Sequence, residues 1–171
     1  GNAVAPGEPG EICVRGPLIM KGYKDMPAET AEAFAGGWLH TGDVGRLDED
    51  GFLYIVDRTK DMIVTGGFNV FPREVEDVLA THEAVGQVVV IGVPDEKWGE
   101  AVKAVVVLKP GLEASDDLVH ALQALVKEAK GSVQAPKSID FVDAIPLTPV
   151  GKPDKKAVRA QYWDGSGRAV G

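Results

Sequence analysis

The chain has 171 residues, 44% of them hydrophobic and 26% charged, with a formal net charge of −8 and one cysteine. This length holds one ordinary domain, or one domain plus part of another, and the composition is that of a globular protein with a real core. The acidic balance argues against nucleic-acid or anionic-membrane binding, which needs a basic surface, so any anionic ligand must be held by a few local cations.

No apolar run approaches the ~20 residues that span a bilayer, the longest being "VVVIGV" from Val88, and no charged-then-apolar leader opens the sequence. Membrane association is therefore not expected from this segment. Cys13 has no partner for an internal disulfide, and no Cys/His spacing of a zinc site is present. The thiol reads as a small buried apolar group in a reducing, cytoplasmic setting.

The first third is strand-like and rich in turns. "EICVRG" and "GFLYIVD" are β-branched or aromatic runs bounded by glycine and aspartate, which predicts β-hairpins. Between them "MPAETAEAFAGG" predicts a short helix, with Pro27 and Glu29 near its start and Gly36–Gly37 at its stop. Downstream, "KDMIVTGGFNV" predicts a hairpin turned by Gly66–Gly67, and "FPREVEDVLATH" a helix with Pro72 in its first turn. Two continuous apolar strands follow, "QVVVIGVP" and "AVKAVVVLK", joined by the polar loop "DEKWGE". "SDDLVHALQALVKEAK" predicts a helix capped by Ser115, with Leu118, Leu122 and Leu125 along one stripe. "SIDFVD" predicts a last strand.

The expected fold class is α+β: a small C-terminal domain with a short sheet flanked by helices, preceded by β-hairpins. Residues 1–57 supply too little apolar surface for a domain of their own and read as the end of a larger one. The boundary falls in "VDRTKD", so the expected organisation is 1–57, then 58–163, then a glycine-rich flexible tail over 164–171.

Several residue types suggest chemistry, each with a bland alternative. Asp43 in "HTGDVG" sits just before an expected turn, where a carboxylate can accept two hydroxyl hydrogen bonds or simply close an Asx-turn. Arg58 offers a fork for phosphate or ribose oxygens, or a surface ion pair. Trp98 can lie over a flat ligand or fold back on its own sheet. Gly66 and Gly67 admit a thin ligand against the backbone, or only make the turn. Lys152 in "PVGKPDKK" stands between Gly151, which permits positive φ, and Pro153, which disfavours α conformation before it and suits the first residue of a helix. It is either a lysine presented on a turn at a helix entrance or a solvated loop residue.

Taken together, "GEICVRGPLIMKGY", "GWLHTGDVGRLDEDGFLYIVDRTKDMIVTGGFNVFPREVE", "VIGVPDEKWGE" and "PLTPVGKPDKK" resemble the carboxyl-terminal part of the adenylate-forming enzymes, most closely the acyl-CoA synthetases. The resemblance runs from Gly7 to about Trp163. It implies an acid–thiol ligase that uses ATP, coenzyme A and Mg2+ to activate a carboxylic acid, a fatty acid foremost. In the family, the lysine matched by Lys152 reaches the active site from a mobile C-terminal domain and contacts the carboxylate and adenylate phosphate. Asp43 matches the aspartate that binds both ribose hydroxyls, and Arg58 an arginine near ribose and phosphate. Lys60 matches the hinge between the adenylating and thioester-forming poses. Gly67 matches the glycine lining the pantetheine tunnel, Trp98 a position that packs on coenzyme A in some members, and Lys137 in "QAPK" one that reaches its phosphates.

Two departures qualify the match. Many relatives carry an aromatic and a basic residue before that Pro-Lys step, where this chain has Val133, Gln134 and Ala135, which implies a less basic coenzyme A mouth. The family's phosphate loop, adenine segment and acyl pocket do not occur in the chain and are expected upstream, with most of the Mg2+ ligands, in an N-terminal domain. The chain is then expected to be inactive alone. The rival readings are an adenylation domain that loads a carrier protein, and a non-catalytic binding module.

Overall fold

The computed structural model describes residues 2–163, and the tail expected over 164–171 lies outside the described residues. The chain divides into two compact units, Gly1–Lys60 and Asp61–Gly171.

The first unit is a three-stranded antiparallel sheet in the order β1 (Gly10–Val14), β2 (Leu39–Leu47), β3 (Leu53–Arg58). Helix α1 (Pro27–Ala33) begins on proline as expected, and a 3-10 turn over Ala35–Gly37 follows it. The sequence misleads at "HTGDVG", which is not a turn but part of strand β2. Here Glu11 pairs with Val44 while Cys13 pairs with His40, so β2 carries two more residues than β1 over the same span. The excess is a β-bulge, and Gly42, at φ 72, supplies its left-handed residue. Val44, at 5% exposure, is the one buried apolar side chain among the described residues of this unit.

In the second unit the sheet order is β5 (Phe68–Val70), β4 (Ile63–Thr65), β7 (Gly99–Leu108), β6 (Val85–Asp95), with β8 (Ser138–Phe141) pairing in parallel with β7. Strands β6 and β7 read as unbroken apolar runs because both of their faces are covered. Alternation sends Val90, Val102, Ala104 and Val106 into one cluster with Val75, Leu79, Leu122 and Val126 of helices α2 (Pro72–Leu79) and α3 (Asp116–Lys130). It sends Val89, Ile91 and Val105 into another with Ile145 and with Val158 of helix α4 (Lys155–Ala160).

The caps explain where the helices start. Ser115 Oγ accepts the Leu118 N–H at 3.2 Å, as expected. The face of α3 that turns inward is centred on Leu122 and Val126, four apart, so Leu125 is only partly buried. Helix α4 begins later than Pro153 suggests. Asp154 accepts the Ala157 N–H at 3.0 Å and so takes the cap, while Pro153 is drawn into a bridge with Leu147. The outward edge of β6 is occupied by side chains: Glu76 Oε1 accepts the Val90 N–H at 2.8 Å, and the Trp163 indole N–H donates to the Gly92 carbonyl at 3.0 Å. Lys155 pairs with the same Glu76 oxygen at 2.8 Å, tying α2, β6 and α4 together. Among the described residues no helix is long and apolar enough to cross a membrane.

Candidate functional site

In the first unit, strand register brings two of the sequence-selected residues together. Asp43 and Arg58 are directly paired across β2 and β3, and Arg58 Nε stands 3.0 Å from Asp43 Oδ1. The bulge aims the aspartate: its N–H donates to Thr41 Oγ1 at 3.1 Å, and that hydroxyl donates to the Ile12 carbonyl at 2.8 Å. Both charged side chains are partly exposed, so the pair itself stabilises the fold by only about 0.2–1 kcal/mol and its groups can be redirected to a polar ligand at small expense.

The same sheet holds a cluster the sequence did not disclose. Glu11, Cys13 and His40 place one donor atom each within 4.8 Å of one another. Cys13 is thus half-buried beside two polar groups rather than sealed in apolar surroundings. Burial and the neighbouring Glu11 carboxylate both push its thiol pKa up. The hydrogen bond to Glu11 holds the His40 imidazole above its ordinary value, against a smaller opposing effect of desolvation. The residues lie 27 and 29 apart in sequence, so only strand pairing could reveal the group.

In the second unit, the Gly66–Gly67 turn forms as expected, with φ of 57 and 83 closing the two-residue β4–β5 hairpin between Thr65 and Phe68. It is not isolated. The Gly66 N–H donates to the Trp98 carbonyl at 2.9 Å, and the Trp98 ring lies so close that a Cβ on Gly66 would stand 2.6 Å from it. Trp98 is still 44% exposed, with Lys97 Nζ 4.6 Å from its ring centre. The indole therefore does both things the sequence allowed: it packs on its own sheet and offers a face to solvent. A Cβ on Gly67 would meet nothing within 4 Å, so its backbone conformation, not crowding within this unit, favours glycine there.

Lys152 sits on a backbone-closed hairpin. The Thr148 N–H donates to the Lys152 carbonyl at 2.7 Å, the Gly151 N–H to the Thr148 carbonyl at 2.8 Å, and the Asp154 N–H to the Pro146 carbonyl at 2.8 Å. Gly151 has φ 79, and the side chain of Lys152 is exposed. Lys137 Nζ donates to the Ser132 carbonyl at 3.1 Å, which turns it toward its own loop. Lys60 lies in a 3-10 turn over Thr59–Asp61, and its neighbour Asp61 is fixed by Arg159 of α4 at 3.3 Å. That anchor is 98 residues away in sequence, so nothing local to the turn signals it.

Elsewhere in the second unit, Lys103 is nearly buried and pairs with Asp140 at 2.7 Å, while the Tyr162 hydroxyl donates to the other Asp140 oxygen at 2.8 Å. Burial acts to raise the Asp140 pKa, but the hydrogen bonds from Lys103 and Tyr162 and the lysine charge outweigh it and hold the carboxyl below its ordinary value. Burial, with the adjacent carboxylate, pushes the Tyr162 phenol up to about 12.

Comparison with known proteins gives the architecture a family. Residues 74–152 match the AMP-binding enzyme C-terminal domain. The chain is 63% identical over 175 residues to the medium/long-chain-fatty-acid–CoA ligase FadD8 of Mycobacterium tuberculosis, a match covering 100% of this chain and 31% of the relative. It is 42% identical over 170 residues to the fatty acid–[acyl-carrier-protein] ligase ScoC of Streptomyces coeruleorubidus, covering 99% of this chain and 32% of that protein. The amide bond synthetase McbA of Marinactinospora thermotolerans superposes with a TM-score of 0.85 at 44% identity, over 95% of this chain and 33% of that one. The chain thus spans about a third of the length of these proteins. The architecture is shared with the McbA structure, and this chain carries, over residues 74–152, the C-terminal domain of the AMP-binding enzymes.

Proposed function

We propose that this chain is the carboxyl-terminal part of an ATP-dependent acyl-CoA ligase acting on a carboxylic acid, a fatty acid foremost. In the first half-reaction the carboxylate attacks the α-phosphorus of ATP, pyrophosphate leaves, and an acyl-adenylate forms. In the second, the thiol of coenzyme A attacks the acyl carbon, AMP leaves, and the thiol proton passes to solvent.

The observation that supports this reading most is the presentation of Lys152. A lysine on an exposed tip closed by three backbone hydrogen bonds is a cation held ready for something outside its own unit. It stabilises the negative charge that crowds around the α-phosphate during adenylation. Asp43 accepts the ribose hydroxyls, and Arg58, released from its weak ion pair, turns its fork to ribose and phosphate oxygens. Lys60 is the hinge about which the C-terminal domain swings, and Asp61 is the first residue held to that domain. After the swing the Gly66–Gly67 turn faces the reaction, Gly67 leaves room for pantetheine, Trp98 packs on coenzyme A, and Lys137 reaches its phosphates. Magnesium enters with the nucleotide in this reading. The one group of three metal-ligating side chains among the described residues contains a thiol and an imidazole, which suit softer ions. The preceding N-terminal portion supplies the acyl pocket and the rest of the nucleotide site.

The test uses the longer protein that contains this chain. Lys152→Ala is expected to lower acid-dependent pyrophosphate exchange by about 10²–10³-fold, the scale of losing one preorganised donor. Thioester formation from preformed acyl-adenylate should be largely spared. Equal loss in both steps, or none in either, contradicts the role. A carrier-protein acceptor is the second reading, favoured by the name of the ScoC relative. It predicts turnover with a phosphopantetheinylated carrier and none with free coenzyme A.

A further inference from the structure

The Glu11–Cys13–His40 cluster contains none of the residues assigned above, and its geometry suits a metal ion. Glu11 and Cys13 are two apart on β1 and so share a face of the sheet, and His40 is the direct cross-strand partner of Cys13. For zinc bonds of about 2.3 Å to sulfur and 2.0–2.1 Å to nitrogen, a tetrahedral angle sets neighbouring ligand atoms about 3.5 Å apart. Cys13 Sγ and His40 Nδ1 already stand 3.5 Å apart. Glu11 Oε2 and His40 Nδ1 are 2.6 Å apart across a hydrogen bond, and an ion admitted there must widen that contact by roughly 1 Å, which the exposed glutamate stem allows.

The ligands are also oriented from behind. His40 Nε2 lies 3.2 Å from the Ala35 carbonyl, a partner that keeps the ring proton on Nε2 and leaves Nδ1 to face the cluster. Glu11 Oε1 accepts the Gly42 N–H at 3.2 Å, a bond the β2 bulge provides. Two of three donors are therefore positioned by neighbours that are not themselves ligands. That is the usual construction of a metal site and is not required of a simple strut between strands.

We propose that Glu11, Cys13 and His40 bind a thiophilic divalent cation, Zn2+ foremost, with water as the fourth ligand. One carboxylate, one thiolate and one neutral imidazole leave an open position and select a borderline-soft ion over Mg2+. Binding deprotonates Cys13 and displaces the proton shared by Glu11 and His40. The site clamps β1 to β2 next to the bulge that carries Asp43.

Titration of the longer protein that contains this chain with Co2+, followed by displacement with Zn2+, tests this directly. The expected result is one equivalent bound, with a sulfur-to-cobalt charge-transfer band that Zn2+ abolishes. Cys13→Ser should remove the band and weaken Zn2+ at least about tenfold, since even second-shell changes weaken metals by 10–100-fold. His40→Ala should do likewise. Where His40→Ala fails to fold, the near-isosteric Cys13→Ser carries the test, read also as loss of the Zn2+-dependent rise in Tm that binding to the native state produces. Absence of saturable one-to-one uptake overturns the proposal. So does unchanged affinity in Cys13→Ser, which would put the ion elsewhere.

Discussion

Strand β6 keeps Val89, Val90 and Ile91 at 1% exposure or less, whereas Phe52 and the first three residues of β3, Leu53, Tyr54 and Ile55, are all at least half exposed. These are apolar runs of similar length in one chain. The difference lies in what covers them. The β6–β7 pair is clothed on both faces, by α2 and α3 on one side and by Ile145 and α4 on the other. Strand β3 has Val44 as its only buried apolar neighbour among the described residues of its unit. A large apolar patch on a monomer marks an interaction surface. The second unit thus has what it needs to fold by itself, and the first has the surface of a piece awaiting more protein. The residues proposed for the chemistry are divided in the same way, with Asp43 and Arg58 in the first unit and Lys152 in the second.

The largest effect should come from separating them. Residues 61–163 expressed alone are expected to unfold in one cooperative transition with protected amides in β6 and β7, and residues 1–60 alone to show no such transition. A cooperative 1–60 would break the comparison. Within the chain, Leu122→Ala removes a fully buried side chain from the larger core and should lower stability by about 2–5 kcal/mol, measured by urea unfolding. Ile55→Ser, at 69% exposure, should change it by no more than about 0.5 kcal/mol. Comparable losses at both positions would mean that the first unit has a core after all.

The smallest effect is electrostatic. Asp140 has its pKa lowered in the folded state, so its contribution is fully present above the unfolded value near 3.8 and is lost as pH falls through the folded one. The urea midpoint of the second unit should therefore hold above about pH 4 and fall below it. Asp140→Asn should flatten that acid limb. The effect is modest because the Asp140 side chain is 40% exposed and solvent screens it. An identical acid limb in the variant would assign the acid sensitivity to other carboxylates.

Most of the second unit was legible because its signals are local: a Gly-Gly hairpin, proline-started and serine-capped helices, and apolar runs long enough to demand cover on both faces. The errors there are also local. Asp154 outcompeted Pro153 for the helix start, since a side-chain cap satisfies a free N–H and a proline ring cannot. The first unit was harder. A strand containing Gly42 and Gly45 looks like a turn, and its bulge is defined only by the count of residues on the opposite strand. The Asp43–Arg58 pair, the Glu11–Cys13–His40 cluster and the seating of Trp98 on Gly66 are all consequences of register. Asp43 meets Arg58 only across the β2–β3 pairing, His40 meets Glu11 and Cys13 only across β1–β2, and Gly66 meets Trp98 only in the folded unit. The residue types were visible in the sequence, but their juxtaposition was not.

The side chains along the outer edge of β6 decide how far the sheet can grow. An exposed edge strand is a template for another chain, and one of eleven residues with the apolar run Val88–Ile91 is a strong template. Here the outward N–H of Val90 and the outward carbonyl of Gly92 already have partners in Glu76 and Trp163. An incoming strand would have to displace a carboxylate also held by Lys155 and an indole at the end of the described chain. Trp163 therefore acts as a stopper against strand-to-strand self-association, and trimming the protein just before it would uncork the edge while leaving every element of the sheet in place.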